Sequence, residues 1–352
     1  MADPERGNQT SIMGFILLSF GNFHELQILL FLLFLVIYVV TMAGNTAIVV
    51  IGVTDQHLHT PMHFFLGNLS CLEACYTSAI LPQLLASLLS GDKTISFAGC
   101  LIQFYMFSSL LCTECCLLTA MSYDRYLAIC KPLHYAARMN SGFSLQLAVG
   151  SWLSGFAAAT IPACWVSQQI FCGSNEIDHF FCDYIPLIKL SCSDTSRMVL
   201  VVFLISCIFV LPPFVLTLTS YMCIINAILR IPSSTGRKKA FSTCSSHLIV
   251  VTVFYGTLII VYMLPDTAAL RDLNKVFSVF YTVLTPMVNP LIYSLRNKEV
   301  KEVLRKALSK TVTSMSICKR FCAHLLYVTI KCVEWEFIMW CNEANHSVCG
   351  QS

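Results

Sequence analysis

Seven stretches of this chain stay apolar for longer than a water-soluble helix needs: about 25–53, 59–89, 98–130, 142–164, 197–229, 240–264 and 273–295. A helix crosses a hydrocarbon core of about 30 Å with ~20 residues, and each stretch reaches that length. No formal charge interrupts Leu26 to Val53, whereas the second stretch holds Glu73 and the third holds Glu114 and ends on Asp124-Arg125. Pro82, Pro162, Pro212, Pro213, Pro286 and Pro290 fall within or near the stretches. Inside a membrane such prolines are tolerated because neighbouring helices satisfy the backbone groups they free. The pattern predicts an all-α membrane protein, a seven-transmembrane helix bundle over 25–295. It is preceded by an N-terminal segment 1–24 and followed by a short amphipathic helix at 296–310 and a tail at 311–352.

Composition agrees with this class. Charged residues are 12% of the 352, against about a quarter in soluble domains, and the spans leave little length for a second folded domain. The net charge of +3 says less than its distribution. Placing the first, third and fifth junctions and the segment up to Lys310 on one side gives that side thirteen Lys and Arg. These are Arg125, Lys131, Arg138, Arg230, Arg237, Lys238, Lys239, Arg296, Lys298, Lys301, Arg305, Lys306 and Lys310. The other side carries six: Arg6, Lys93, Lys189, Arg197, Arg271 and Lys275. Basic residues gather on the cytoplasmic side, so the expected topology is a multi-pass plasma-membrane protein with its N-terminus outside. That terminus lacks the basic start and short apolar core of a cleaved signal peptide. Asn8-Gln9-Thr10 is a glycosylation acceptor on the outer side; Asn68-Leu69-Ser70 has the same form but lies within a span.

An Arg beside an Asp at a membrane helix end is expensive, and its place is the boundary, where the long Arg stem reaches water or a partner. Here the wording is Met121-Ser122-Tyr123-Asp124-Arg125-Tyr126-Leu127-Ala128-Ile129-Cys130. The Asp-Arg-Tyr resembles the cytoplasmic latch of rhodopsin-like G-protein-coupled receptors, and the longer run resembles an odorant receptor. Further motifs follow in order. Gly44-Asn45 lies in the first stretch, and Leu58-His59-Thr60-Pro61-Met62-His63-Phe64-Phe65-Leu66 opens the second. Trp152 lies in the fourth, Ser220-Tyr221 near the end of the fifth, and Lys239-Ala240-Phe241-Ser242-Thr243-Cys244-Ser245-Ser246-His247 opens the sixth. Pro286-Met287-Val288-Asn289-Pro290-Leu291-Ile292-Tyr293 closes the seventh. The resemblance covers about residues 10 to 310. His63 departs from it, standing where the family usually has Tyr.

The resemblance implies a chemistry for these positions. Most of the nineteen cysteines are small apolar packing residues, but Cys100, Cys172, Cys182 and Cys192 face the oxidising side. Spacing alone leaves all three of their pairings open; the resemblance implies Cys100 with Cys182 and Cys172 with Cys192. On the third stretch Phe104, Phe107, Ser108, Leu111, Cys112 and Cys115 recur at helical steps. By resemblance they form a ligand pocket with Ser206, Phe209, Tyr255, Leu258, Ile259 and Tyr262, suited to a small, largely apolar odorant. The implied switch is Asp124 holding Arg125 at rest, with Tyr126, Tyr221, His247, Asn289, Pro290 and Tyr293 around it. The implied partner is a stimulatory heterotrimeric G protein raising cAMP. Residues 297 to 309 alternate basic and apolar positions, as a helix lying on the lipid membrane does.

Two carboxylates within spans, Glu73 and Glu114, cannot both stay charged and unpaired in lipid. Either they share a proton or they hold a sodium or other cation, with Asn45 and Asn289 nearby; no other cofactor is expected. Competing classes fare worse. A retinal protein needs a Schiff-base Lys in the seventh stretch, and none lies between Val276 and Leu295. There is no internal repeat of the transporter kind, no Gly-x-Ser-x-Gly, His-Glu-x-x-His or phosphate loop to suggest an enzyme, and no nucleic-acid partner is expected. The alternatives kept open are a family chemosensor for a metabolite outside the olfactory epithelium, and a non-signalling scaffold. The tail outlasts the family's short one. Its apolar run from Phe321 to Cys341 contains Lys331, Glu334 and Glu336, each costing about 2.5–3.5 kcal/mol near a helix centre, so an eighth span is not expected.

Overall fold

The structure is a computed structural model that describes residues 14–19, 24–55, 58–172, 174–263 and 268–296. The acceptor Asn8, the expected helix at 296–310 beyond its first residue, the tail at 311–352 and the side chain of Tyr293 lie outside the described residues.

Among the described residues five helices are long and apolar enough to cross a membrane: α1 (His24–Thr54), α2 (Pro61–Ser90), α3 (Phe97–Cys130), α5 (Ser141–Ser167) and α7 (Ser196–Leu229). A sixth helical segment runs through α8 (Ser234–Leu258) into a π-helical stretch, Ile259–Met263. The seventh comprises α9 (Ala268–Val279), a second π-helical stretch (Phe280–Leu284) and α10 (Thr285–Arg296). Short helices α4 (Pro132–Arg138) and α6 (Tyr184–Lys189) lie in the connections after α3 and α5.

Helix boundaries follow local chemistry. Thr60 caps α2 ahead of Pro61, whose missing N–H costs nothing at the first helical position. The helix ends on Gly91 at φ 74°, a left-handed backbone that glycine adopts without strain. Ser96 caps α3 by accepting from the Gly99 N–H, Asn140 caps α5 by accepting from Phe143, and Ser233 caps α8 by accepting from Gly236. Pro132 follows the end of α3 and permits only a new helix start.

The faces of α1 and α7 turned from the bundle expose Leu29, Leu32, Leu33 and Val36, and Leu200, Phe203, Leu204 and Ile208. Such continuous apolar surface suits hydrocarbon rather than water. Inside, Phe65, Leu69, Leu72 and Tyr76 of α2 pack with Phe107, Leu110 and Leu118 of α3 and Phe254, Tyr255 and Leu258 of the sixth segment. Helices α3 and α5 approach most closely at Gly155, where a Cβ would fall 2.1 Å from Thr113 Oγ1 and 2.6 Å from the Ser109 carbonyl. Asn68 faces inward, its Oδ1 accepting from Trp152 Nε1 at 3.2 Å. His63, expected near a surface, is buried and its ring nitrogen lies 2.8 Å from Thr60 Oγ1.

At one end the connections form a small sheet absent from the sequence expectation. Strand β1 (Gly14–Leu17) lies between β2 (Thr94–Ser96), antiparallel, and β3 (Glu176–Ile177), parallel. Phe15 and Leu17 point to one face, as alternate residues of a strand do, and are buried with Cys100, Phe104, Ile177 and Cys182. The N-terminal segment therefore contributes a strand to the covering layer rather than a bare leader.

Candidate functional site

The loop between α5 and α7 is held over the bundle by two disulfides, Cys100–Cys182 and Cys172–Cys192, with Cα atoms 5.4 and 6.0 Å apart. Of the three pairings open to the sequence, this is the one implied by resemblance. Gln103 adds a polar pin: its Oε1 accepts from the Cys182 N–H at 2.9 Å and its Nε2 donates to the Ala79 carbonyl at 2.9 Å. Phe180 and Phe181 are buried beneath the loop, with the His179 ring stacked on Phe180. Burial, with the Lys275 charge second, pushes His179 down to about 3, so the ring is neutral at physiological pH. Lys275 closes the layer with an ion pair to Asp178 at 2.6 Å and a bond to the Ser19 carbonyl.

Below this layer lies a cavity of about 80 Å³. It is bounded by Phe104, Phe107, Ser108, Leu111, Cys112 and Cys115 of α3; Ser206, Phe209, Val202, Ile205 and Val210 of α7; and Leu258 and Tyr262 of the sixth segment. Ala158, Ala159 and Pro162 of α5 and Asp183 and Tyr184 of the loop complete the wall. Ten of the twelve residues expected for a pocket thus surround one space. Tyr255 and Ile259 do not. The Tyr255 hydroxyl donates to the Cys115 carbonyl at 2.9 Å, which ties the ring between α3 and α8 below the cavity. Ile259 begins the π-helical stretch and packs into the general core. The α5 and loop residues were not foreseen. Small side chains ahead of Pro162 are a weak signal for a wall, and Asp183 was marked only by its place beside Cys182.

The end of the cavity nearest the loop is polar. Asp183 Oδ1 accepts from the Tyr184 N–H at 2.7 Å, and the Tyr262 hydroxyl lies 3.1 Å from both carboxylate oxygens. Tyr262 also meets the Tyr281 hydroxyl at 3.1 Å, and Tyr281 meets Ser278 at 3.1 Å. Burial pushes the Asp183 carboxyl up to about 6 against the opposing hydrogen bonds.

Deeper in the bundle, Glu73, Glu114, Asn45 and Asn289 are all buried. Asn289 Nδ2 donates to Glu73 Oε1, while Asn45 Nδ2 donates to the carbonyls of Thr41 and Pro286 at 3.0 and 3.1 Å. Four buried oxygens have no hydrogen-bond partner among the described residues: Glu73 Oε2, Glu114 Oε1, Asn45 Oδ1 and Asn289 Oδ1. A donor set of hard oxygens with two carboxylates fits a hard cation. No group of three or more His, Cys, Asp and Glu stands together among the described residues.

At the opposite end, Asp124 and Arg125 lie near the end of α3. Asp124 Oδ1 accepts from the Tyr135 hydroxyl of α4 at 2.9 Å, and among the described residues no ion pair closer than 4 Å joins Asp124 to Arg125. Arg125 Nη2 is buried and has no hydrogen-bond partner among the described residues. Beside it the Tyr221 hydroxyl bonds His247 Nδ1 at 2.5 Å with the two rings stacked, joining α7 to α8. Tyr126 packs into the same cluster, and Pro290 lies against Gly44 of α1, where a Cβ would fall 3.1 Å from its ring.

A helical membrane bundle with a covered apolar cavity near one end and a half-buried arginine near the other defines a membrane receptor rather than an enzyme. Comparison with known proteins agrees. The family model described as olfactory receptor matches residues 34–311. Human olfactory receptor 6F1 is 51% identical over 302 residues, which is 86% of this chain and 98% of that protein. Human olfactory receptor 6N1 is 48% identical over 306 residues (87% and 98%), and mouse olfactory receptor 5M5 is 46% identical over 309 (88% and 97%). The chain belongs to the olfactory receptor family, and its seven helical segments are that family's seven-transmembrane bundle.

Proposed function

We propose that this receptor binds small, mostly apolar odorants in the cavity between α3, α5, α7 and the sixth segment, and activates a stimulatory heterotrimeric G protein to raise cAMP. It acts from the plasma membrane with the disulfide-held loop outside and Arg125 facing the cytoplasm. The observation that carries this reading is the cavity: apolar and aromatic over nearly its whole wall, touched by few hydroxyls, and closed by the loop. Such a space binds by burial and orients by one or two hydrogen bonds.

Cavity size supplies the mechanism. About 80 Å³ is less than the ~150 Å³ engineered cavity that takes benzene, so most odorants require the walls to separate. An agonist therefore binds the expanded state better, which is the condition for shifting an equilibrium. Burying about 200 Å² of ligand surface is worth ~5 kcal/mol, close to the ~5.5 kcal/mol that carries a two-state switch from 1:99 to 99:1. The wall formed by Leu258 and Tyr262 belongs to the sixth segment, whose far end carries His247. Outward movement there separates His247 from Tyr221 and uncovers Arg125 for the G protein. Asp124, bonded to Tyr135, orders the connection after α3. Glu73, Glu114, Asn45 and Asn289 would hold a sodium ion, whose charge, when bound, neutralises the two carboxylates and favours the resting packing.

The test is ligand-dependent cAMP in cells expressing the chain beside Arg125→Ala at matched surface level. A panel of small apolar volatiles should raise cAMP in the parent alone. Equal responses, or none on any Gα subunit, refute the assignment.

A further inference from the structure

The cavity is apolar except at its outer end, where an acidic side chain lies against it. Asp183 is 3% exposed, and among the described residues no Lys, Arg or His forms an ion pair with it. Asp178, five residues earlier, differs: it is exposed and paired with Lys275. A buried carboxylate without a countercharge is costly unless hydrogen bonds compensate it. An ionised carboxylate offers about four acceptor positions. Asp183 receives the Tyr184 N–H on Oδ1 and one shared hydroxyl, that of Tyr262, across both oxygens. Oδ2 thus has half of one donor.

The neighbours cannot supply more. Tyr262 has a single proton and directs it at an ionised Asp183, so towards Tyr281 it can only accept. Ser278 gives its proton to the Asn274 carbonyl at 2.8 Å and so only accepts from Tyr281. Tyr281 has one proton, which goes to either Ser278 or Tyr262, so only Tyr262's own proton reaches Asp183 and the carboxylate is the terminal acceptor. A second observation points the same way. The Tyr184 side chain borders the same cavity and is 9% exposed, and its buried hydroxyl has no hydrogen-bond partner among the described residues.

We propose that Asp183 and Tyr184 form a head-group subsite that selects small apolar ligands carrying one O–H or N–H donor, an alcohol or a primary amine, over ethers and carboxylic acids of the same skeleton. This rests on the cavity being the ligand site. The donor bonds Asp183 Oδ2, and an alcohol oxygen also accepts from the Tyr184 hydroxyl. An ether brings no donor, so it fills the space and leaves the carboxylate as it was. An ionised carboxylic acid brings like charge against Asp183 in an apolar enclosure. The ligand donor also competes with Tyr262 for the carboxylate, so occupancy of this subsite loosens the tie between the loop and the sixth segment. Head-group selection and switching are thereby joined at one side chain.

The experiment uses the full chain purified into lipid nanodiscs and reads ligand-induced thermal stabilisation, which needs no G protein. The probes are n-butanol, n-butylamine, methyl propyl ether and butyrate. The alcohol and the amine are expected to act at about tenfold lower concentration than the ether or butyrate, the ratio of one charge-assisted hydrogen bond. Asp183→Asn keeps the cap on Tyr184 and an acceptor oxygen but removes the charge. It should abolish the amine's advantage and retain most of the alcohol's, which separates the two donors. Tyr262→Phe removes the competing donor and should tighten both several-fold, opposite to what general damage to the site would do. Equal action of all four probes, or an amine preference unchanged in Asp183→Asn, overturns the subsite while leaving the cavity as the ligand site. No stabilisation by any probe overturns the cavity assignment and the subsite together.

Discussion

Gly155→Ala tests whether the cavity's geometry depends on the close approach of α3 and α5. The new methyl would lie 2.1 Å from Thr113 Oγ1, 2.6 Å from the Ser109 carbonyl oxygen and 2.8 Å from the Thr113 nitrogen. Rotating Thr113 relieves only the first contact and breaks its bond to the Ser109 carbonyl. The other two are backbone, so the helices must part by about 0.8 Å to reach ordinary contact, a gap that forfeits roughly a quarter to a half of each local dispersion well. Overpacking of this kind costs about 1–3 kcal/mol, offset by the ~1 kcal/mol by which Ala exceeds Gly in a helix. Gly150, five residues earlier in α5, has nothing within 4 Å of its would-be Cβ, so Gly150→Ala gains propensity without the clash. Propensity cancels between the two variants, leaving a difference of about 1–3 kcal/mol. Thermal denaturation of the purified receptors should place Gly155→Ala below the parent and Gly150→Ala at or above it. The same shift moves Phe104, Ser108 and Leu111 relative to Ala158 and Pro162, so ligand responses should weaken in Gly155→Ala alone. Coincident melting of the two variants would refute the packing argument.

Three further outcomes are expected. His179, held neutral by burial, contributes stability that is complete above its unfolded value of 6.5 and lost as pH falls toward 3. Asp183, raised by burial, contributes stability that is complete below 3.8 and lost as pH rises toward 6. From pH 7 to 5 these amount to about 2 kcal/mol lost and ~1 kcal/mol gained. Hydrogen exchange over 176–183 should therefore change little in the parent, whereas His179→Gln should become better protected at pH 5; loss of protection there would contradict the assignment. His247→Phe keeps the ring stack but loses the bond from Tyr221, worth about 0.5–1.5 kcal/mol, and should raise basal cAMP roughly two- to tenfold at equal surface expression; an unchanged baseline counts against a resting tie at Tyr221. Glu114→Gln should alter the sodium or pH dependence of basal signalling, and an unaltered dependence in a well-expressed variant would remove the cation site.

Much of the bundle was legible because a membrane span announces itself by length and apolarity. The edges of α1, α3 and α7 fall within a few residues of the expected stretches. Helical spacing also gathered Phe104, Phe107, Ser108 and Leu111 onto one face, and the structure puts that face on the cavity. What failed to show lacks periodicity. Strand β1 is four residues long, and its partners lie about eighty and one hundred and sixty positions away. Asp183 and Tyr184 reach the cavity only because Cys182 is tied to Cys100. One expected lining residue lies elsewhere for a local reason. Tyr255 shares a face with Leu258, but its hydroxyl finds a carbonyl one layer deeper.

The sixth segment is held at three heights by tyrosine hydrogen bonds rather than by packing alone. Tyr262 meets Asp183 at the loop, Tyr255 meets the Cys115 carbonyl in the middle, and His247 meets Tyr221 beside Arg125. Each such bond inside a membrane protein contributes about 0.6 kcal/mol on average. Together they come to ~2 kcal/mol, below the ~5 kcal/mol available from burying an apolar ligand. Hydrogen bonds of this strength specify one resting position without making it permanent. Because the outermost of the three ends on the carboxylate that borders the cavity, a ligand arriving there meets that restraint first.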